Sequence, residues 1–280
     1  MSRTGRRKAQ KRARRSGASQ SGRPWIWLSI GGLIVAILVL GRLLAPQPEQ
    51  PEGTLRAVVI DQLAPGDPNP NLRTAVREDM EAFGLEVVEF EGDEVTVGTY
   101  RELGDLAPAV LLIRSHSGLL TLESEQEEHI TALFTNEPYS RAKYVSEQLG
   151  DRVLIVRLGE QDEHLRFGVS PMFIEQSMHG NLSRTVVLIA GCSCLGRTDL
   201  AEAFRARGAS VVLSWDAPVG LEYLDAATGH LVDCLFEERM TVEGATVSTM
   251  AQFGSDPAFE SILLYYPVAA GRYTVSELIR

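Results

Sequence analysis

The chain has 280 residues, 44% hydrophobic and 23% charged, a composition that excludes a disordered protein and provides for a substantial core. Its formal net charge of −10 is unevenly spread: ten of the 27 Lys and Arg, and none of the 37 Asp and Glu, fall in residues 1–44. The remainder therefore carries 17 basic against 37 acidic residues, which excludes it as a surface for DNA or an anionic membrane.

Residues 1–23, "MSRTGRRKAQKRARRSGASQSGR", are basic and lack apolar periodicity, as a nucleic-acid arm would be in isolation. The next stretch changes that reading. Residues 24–44, "PWIWLSIGGLIVAILVLGRLL", are uncharged from Pro24 to Gly41 and long enough to cross a bilayer of ~30 Å as one helix. Trp25 and Trp27 then mark one interface and Arg42 the other. The run exceeds the apolar core of a signal peptide, and "RLLAPQPEQ" offers no small-x-small cleavage site, so the expectation is an uncleaved anchor. Its basic flank assigns residues 1–23 to the cytoplasm and the acidic remainder to the outside, a single-pass protein of the cell membrane. The partners so implied are the lipid bilayer, through residues 24–44, and no nucleic acid. Residues 45–53 read as a Pro-stiffened linker.

Residues 54–280 read as one domain. "LRAVVIDQL" is a strand, and the turn residues of "APGDPNPN" lead into a helix over "LRTAVREDMEAFG". There Leu72, Val76, Met80 and Phe83 share a face, and Gly84 ends the helix. "LEVVEF" and "APAVLLIRSHSG" are further strands, the second a continuous apolar run of the kind found where a parallel sheet is covered on both faces. Residues 119–180 read as an insertion decorating the sheet edge: short strands in "GLLTLES", "ITALFTNEPY" and "RVLIVRL", and helices in "RAKYVSEQLG" and "SPMFIEQSMHG". Regularity returns with the strand "TVVLIAGC", the helix "TDLAEAFRARG" begun by a Thr or Asp cap, and the strand "ASVVLSW". Two helices, near 221–238 and 242–253, and a last strand, "SILLYYP", complete the pattern. The fold class expected is α/β, a three-layer sandwich with a mostly parallel sheet, preceded by the transmembrane helix.

In such sheets functional groups gather beyond the C-terminal strand ends. "AVLLIRSH" delivers His116 to one end and "VVLIAGC" delivers Cys192 to another. An apolar strand ending in His-x-Gly, a second ending in small-Cys, a helix, and then "RGASVVLSWDAPV" resemble the caspase-like cysteine peptidases of the gingipain, separase and CHAT group. The similarity is most specific in "AEAFRARGASVVLSWDAPVG", through Ala203, Phe204, Gly208, Ala209, Val212 and Trp215. It covers residues 110–118 and 185–267 and implies a caspase-like domain.

The resemblance implies that Cys192 is a nucleophile and His116 its partner in a dyad hydrolysing peptide or protein substrates. Backbone N–H groups near Ser117 and Gly118 would then receive the oxyanion. Two departures stand beside it: Ser117 intervenes where the family has His-Gly, and Cys194 and Leu195 come after Cys192 where it has a polar pair. Cys194 is therefore an alternative nucleophile. Trp215 is a candidate pocket wall, and Asp216 and Asp225 are candidates to face a basic side chain. Two functions are open on this reading: a membrane-anchored extracytoplasmic cysteine endopeptidase, or a catalytically silent copy of the fold that binds a ligand or protein at the cell surface. Cys192, Cys194 and His116 match no common zinc spacing, and GxSxG, GxGxxG and P-loop motifs are absent from the sequence, so neither a metal nor a cofactor is expected.

Overall fold

Apolar runs become buried strands, and the residues that interrupt them set the connections. β1 (Arg56–Asp61) leads to α1 (Pro70–Phe83), which Asn69 caps by accepting from Leu72 N–H at 3.1 Å and which closes on Gly84 in the left-handed region. β2 (Glu86–Glu91), α2 (Val97–Glu102), β3 (Val110–Arg114), β4 (Ser117–Thr121) and β5 (His129–Pro138) come next. After them come α3 (Val145–Gln148), β6 (Val153–Val156), β7 (Arg166–Val169) and α4 (Pro171–Gln176). The chain then runs through β8 (Val186–Ala190), α5 (Asp199–Ala206), β9 (Val211–Trp215), α6 (Leu221–Phe236), α7 (Val242–Phe253), β10 (Leu263–Tyr266) and α8 (Val275–Leu278). This computed structural model describes residues 55–121, 129–159 and 164–280, within a unit that extends from Thr54 to Arg280.

The strands form two sheets, which corrects the single sheet expected from the sequence. The larger has the order β10-β9-β8-β3-β1-β2; every neighbouring pair is parallel except β10 with β9. The smaller is antiparallel, β4-β5-β7-β6. It is built from the middle segment expected to decorate an edge. Instead Leu133, Val153, Phe167 and Val169 pack in one core cluster with Ile113 and Ile189 of the large sheet, so the segment covers a face. The apolar side chains of β5, β6 and β7 would otherwise lie in water. Helices α2, α4 and α5 share that face, while α1, α6 and α7 cover the other with Met80, Leu231 and Ala245.

Local details depart from expectation for identifiable reasons. The helix read in "RAKYVSEQLG" contracts to four residues, because Tyr144 takes the left-handed region and its hydroxyl bonds Glu137 at 3.0 and 3.2 Å. Thr198 gives α5 no side-chain cap; Asp199 instead binds the N–H and hydroxyl of Thr131 at 3.2 and 2.8 Å, tying the helix to β5. Among the described residues no helix is long and apolar enough to cross a membrane. The described residues therefore supply none of the span on which the expected fold class, bilayer partner and single-pass location depend. The basic tail, the span over residues 24–44 and the linker on which it rested lie outside the described residues.

Candidate functional site

The ends of β3 and β8 are neighbours in the parallel sheet, with Arg114 beside Ala190, so both chains leave the same edge. Beyond that edge the two side chains that the sequence pairs meet different neighbours. After β3 the backbone turns at once into β4 of the small sheet, and the His116 ring lies 6.2 Å from the Phe134 ring of β5. After β8 the Cys192 side chain packs on the α1/α6/α7 cluster. There Sγ donates to Val219 O at 3.7 Å and accepts from Val219 N–H at 3.5 Å. No hydrogen bond joins the His116 ring to Cys192 among the described residues. The expected dyad is thereby corrected: no such pairing is evident among the described residues.

Electrostatics agree with the geometry. Burial pushes the His116 imidazole below its ordinary value, against the pull of Asp67 and with the help of Arg166 and Arg114. Burial pushes the Cys194 thiol up to about 12, so the alternative nucleophile is a protonated core residue. It donates to Ser117 Oγ at 3.2 Å, and Ser117 Oγ donates to Cys192 O at 2.8 Å. Ser117 thus fastens the cysteine turn to β4, and Gly118 continues the strand opposite Ala132. Both expected oxyanion positions are ladder residues.

The three expected pocket residues have other partners. Trp215 is buried in the core with Leu224 and Leu263. Asp216 Oδ1 accepts from Ile262 N–H at 2.9 Å and Ser261 Oγ at 3.2 Å, closing the connection between β9 and β10. Asp225, on α6, belongs to a charge cluster that sequence reasoning missed.

That cluster centres on Arg114, the last residue of β3. Its Nε and one terminal nitrogen donate to the two oxygens of Asp225 at 2.7 Å each. The other terminal nitrogen donates to Asp61 Oδ1, at the end of β1, at 2.8 Å, and Asp67 O accepts a fourth bond at 3.0 Å. The Arg114 side chain is 3% exposed. Burial pulls its pKa down, but Asp225 and Asp61 outweigh burial and hold it above its ordinary value. Asn69 completes the cluster: while Oδ1 caps α1, Nδ2 donates to Asp225 Oδ2 at 2.9 Å. Beside it a half-buried amide pair joins the two sheets. Gln62 Nε2 donates to Asn136 Oδ1 at 2.7 Å, and Gln62 Oε1 accepts from His116 N–H at 2.9 Å.

The cluster stands where the sheet reverses its winding. β1 connects to β2 through α1 on one face, whereas β3 leads toward the small sheet and α4 on the other. A crevice opens beyond strand ends at such a point. Next to that point, beyond β1 and β2, lies a cavity of about 460 Å³ lined by Asp61, Pro65, Asn69, Arg73 and Glu91 among others. Arg73 pairs with Glu91 at its mouth. Asp61 uses Oδ1 for Arg114 and for Leu63 N–H at 3.2 Å; Oδ2 takes no hydrogen bond from a described residue. The cavity itself is lined by two carboxylates, Asp61 and Glu91, and one guanidinium group, Arg73. The only sequence signal for this site was a charged residue closing each of two apolar strands, Asp61 in "VVID" and Arg114 in "LLIR".

Among the described residues no group of three His, Cys, Asp or Glu is placed to hold a metal. In comparisons with known proteins, the chain matches no family model and no curated protein.

Proposed function

We propose that this chain is a binding domain that takes a cationic group, a guanidinium or ammonium on a small molecule or a side chain, into the crevice beyond β1 and β2. The observation that carries this reading is Asp61. Asp61 lines a cavity; one of its carboxylate oxygens is locked by Arg114, while the other takes no hydrogen bond from a described residue. Its oxygen is therefore fixed in place before a ligand arrives, which lowers the ordering cost of binding. The excess of carboxylates around the crevice favours positive charge, and the cavity volume is within the range of small-molecule sites. Pro68 and Pro70, on either side of Asn69, give the rim a backbone of restricted freedom.

We keep the caspase-like resemblance as a proposal about fold alone. It is supported by adjacent parallel strands β3 and β8 ending before His116 and Cys192, and by α5 and β9 coming after them in the order of the motif.

The test is calorimetric titration of the full chain with arginine amide, beside Asp61→Asn and Glu91→Gln. Saturable binding is expected, weakened at least ~10-fold by Asp61→Asn, equivalent to about 1.4 kcal/mol, and weakened by added salt. Absence of binding, or equal binding by Asp61→Asn, overturns the proposal.

A further inference from the structure

Asp61 and Glu91 are partners in the register of β1 and β2, so the two carboxylates end neighbouring parallel strands about 4.8 Å apart. Both turn toward the helical face that holds α1: Asp61 meets Arg114 beside Asp225 of α6, and Glu91 meets Arg73 of α1. Each carboxylate therefore has one guanidinium, but the two guanidinium groups are held differently. Arg114 is buried and bonded to Asp61, Asp225 and Asp67 O, which fixes it. Arg73 and Glu91 have side chains 40% and 48% exposed. A pair so exposed contributes little and opens readily to a competing partner.

The cavity lining thus presents two carboxylates and one guanidinium that is able to change partners. The complement of that set is a ligand with two cations and one anion, in which one cation lies next to the anion. On the reading that Asp61 takes a cation, we infer that the ligand is a free basic α-amino acid, with arginine as the fullest match. Its guanidinium goes to Asp61, whose Oδ2 takes no hydrogen bond from a described residue. Its α-ammonium and α-carboxylate, carried on one carbon, enter between Glu91 and Arg73 and give each a partner of opposite charge. One exposed ion pair is exchanged for two, and the new guanidinium–carboxylate pair is of the bidentate kind that adds direction as well as strength. The rings of Pro65, Pro68 and Pro70 supply uncharged wall for the aliphatic stem between the charges.

Net charge alone favours a different ligand. Arginine amide lacks the carboxylate, carries more positive charge than arginine, and is drawn more strongly to an acidic crevice. A preference for arginine over its amide requires a group that reads the carboxylate. Among the described residues that line the cavity, Arg73 is the one cation. Arg77 provides the control: one turn further along α1 it pairs with Glu89, and neither residue lines the cavity.

The experiment is calorimetric titration of the full chain, at mildly acidic pH, with arginine, arginine amide, Nα-acetylarginine and citrulline. The last three remove in turn the carboxylate, the α-ammonium and the side-chain charge. Arginine should bind at least tenfold more tightly than each of them. Arg73→Gln should bring arginine to the level of its amide, whereas Arg77→Gln, an equal change of charge, should keep the preference. Both substitutions are at exposed side chains and leave the fold intact. Arginine amide binding as tightly as arginine while still depending on Asp61, or a preference that survives Arg73→Gln, overturns this inference and leaves cation capture by Asp61 standing. Nα-acetylarginine binding as tightly as arginine would assign the site to the C-terminal residue of a peptide and overturns the free amino acid. No binding by any of the four, or citrulline binding as tightly as arginine, overturns both.

Discussion

Two charge clusters lie between α1 and α6, one at each end of the helix pair, and they are built on opposite principles. At the N-terminal ends Asn69 and Asp225 meet around the Arg114 guanidinium, and every strong bond crosses between elements. At the C-terminal ends carboxylates face one another. The Asp79 carboxyl is raised by burial and then by Asp233 and Glu78, and Glu237 is raised by its bond with Asp233 and by that group's charge. The nearby guanidinium of Arg239 lies 4.8 Å from the Phe83 ring centroid and forms no ion pair among the described residues. The first end exchanges solvent for a matched partner. The second retains solvent and mutual repulsion. The contrast shows why the same residue type braces a crevice in one place and merely keeps a surface soluble in the other.

The largest effect expected from breaking the compensated end is that of Arg114→Met, which leaves Asp61 and Asp225 buried without their partner. It should cost about 3–5 kcal/mol, the range for uncovering a buried ion pair, read by chemical denaturation of the full chain. A cost under about 1 kcal/mol would place the cluster with ordinary surface pairs.

Asp79→Asn sharpens the other end and should act in the opposite direction. A carboxyl raised in the folded state destabilises while ionised; the penalty is full above the folded pKa and fades as pH falls through that value toward the ordinary 3.8. The variant should therefore gain stability at neutral pH, no more than about 0.5 kcal/mol given its solvent exposure, and lose that advantage below pH 3.8. A loss at pH 7 would show that Asp79 is held by a favourable partner instead.

The smallest effect concerns the thiol beside the compensated end. With no hydrogen bond between the His116 ring and Cys192 among the described residues, His116→Ala should leave the pH profile of Cys192 alkylation unchanged, as read by mass spectrometry. A profile displaced toward higher pH in the variant would restore the coupling that the geometry denies.

The elements of the large sheet were legible because their signals are local. Runs such as "VVLIA" and "AVLLI" are long enough to need cover on both faces, and Gly84 and Gly208 end their helices in a conformation other residues resist. β7 was not legible. Its Gly168 reads as a breaker, yet a Cβ there would stand 2.6 Å from Val156 Cγ1, so the close pairing with β6 requires the glycine. The edge that carries His116 and Cys192 was legible, but the directions of the two side chains were not. They depend on β4 crossing into a second sheet, a non-local event. Arg114 was hidden for a related reason: a charge at a strand end reads as exposed until a helix more than a hundred residues later supplies Asp225.

The most direct test of cation capture by Asp61 is a crystal structure of the protein with arginine amide. The predicted result is a guanidinium within hydrogen-bond distance of Asp61 Oδ2, between Asn69 and Glu91, with the Arg114 cluster unmoved. A guanidinium bound against the carboxylates of Asp79 and Glu237, with the crevice at Asp61 left to solvent, would contradict it.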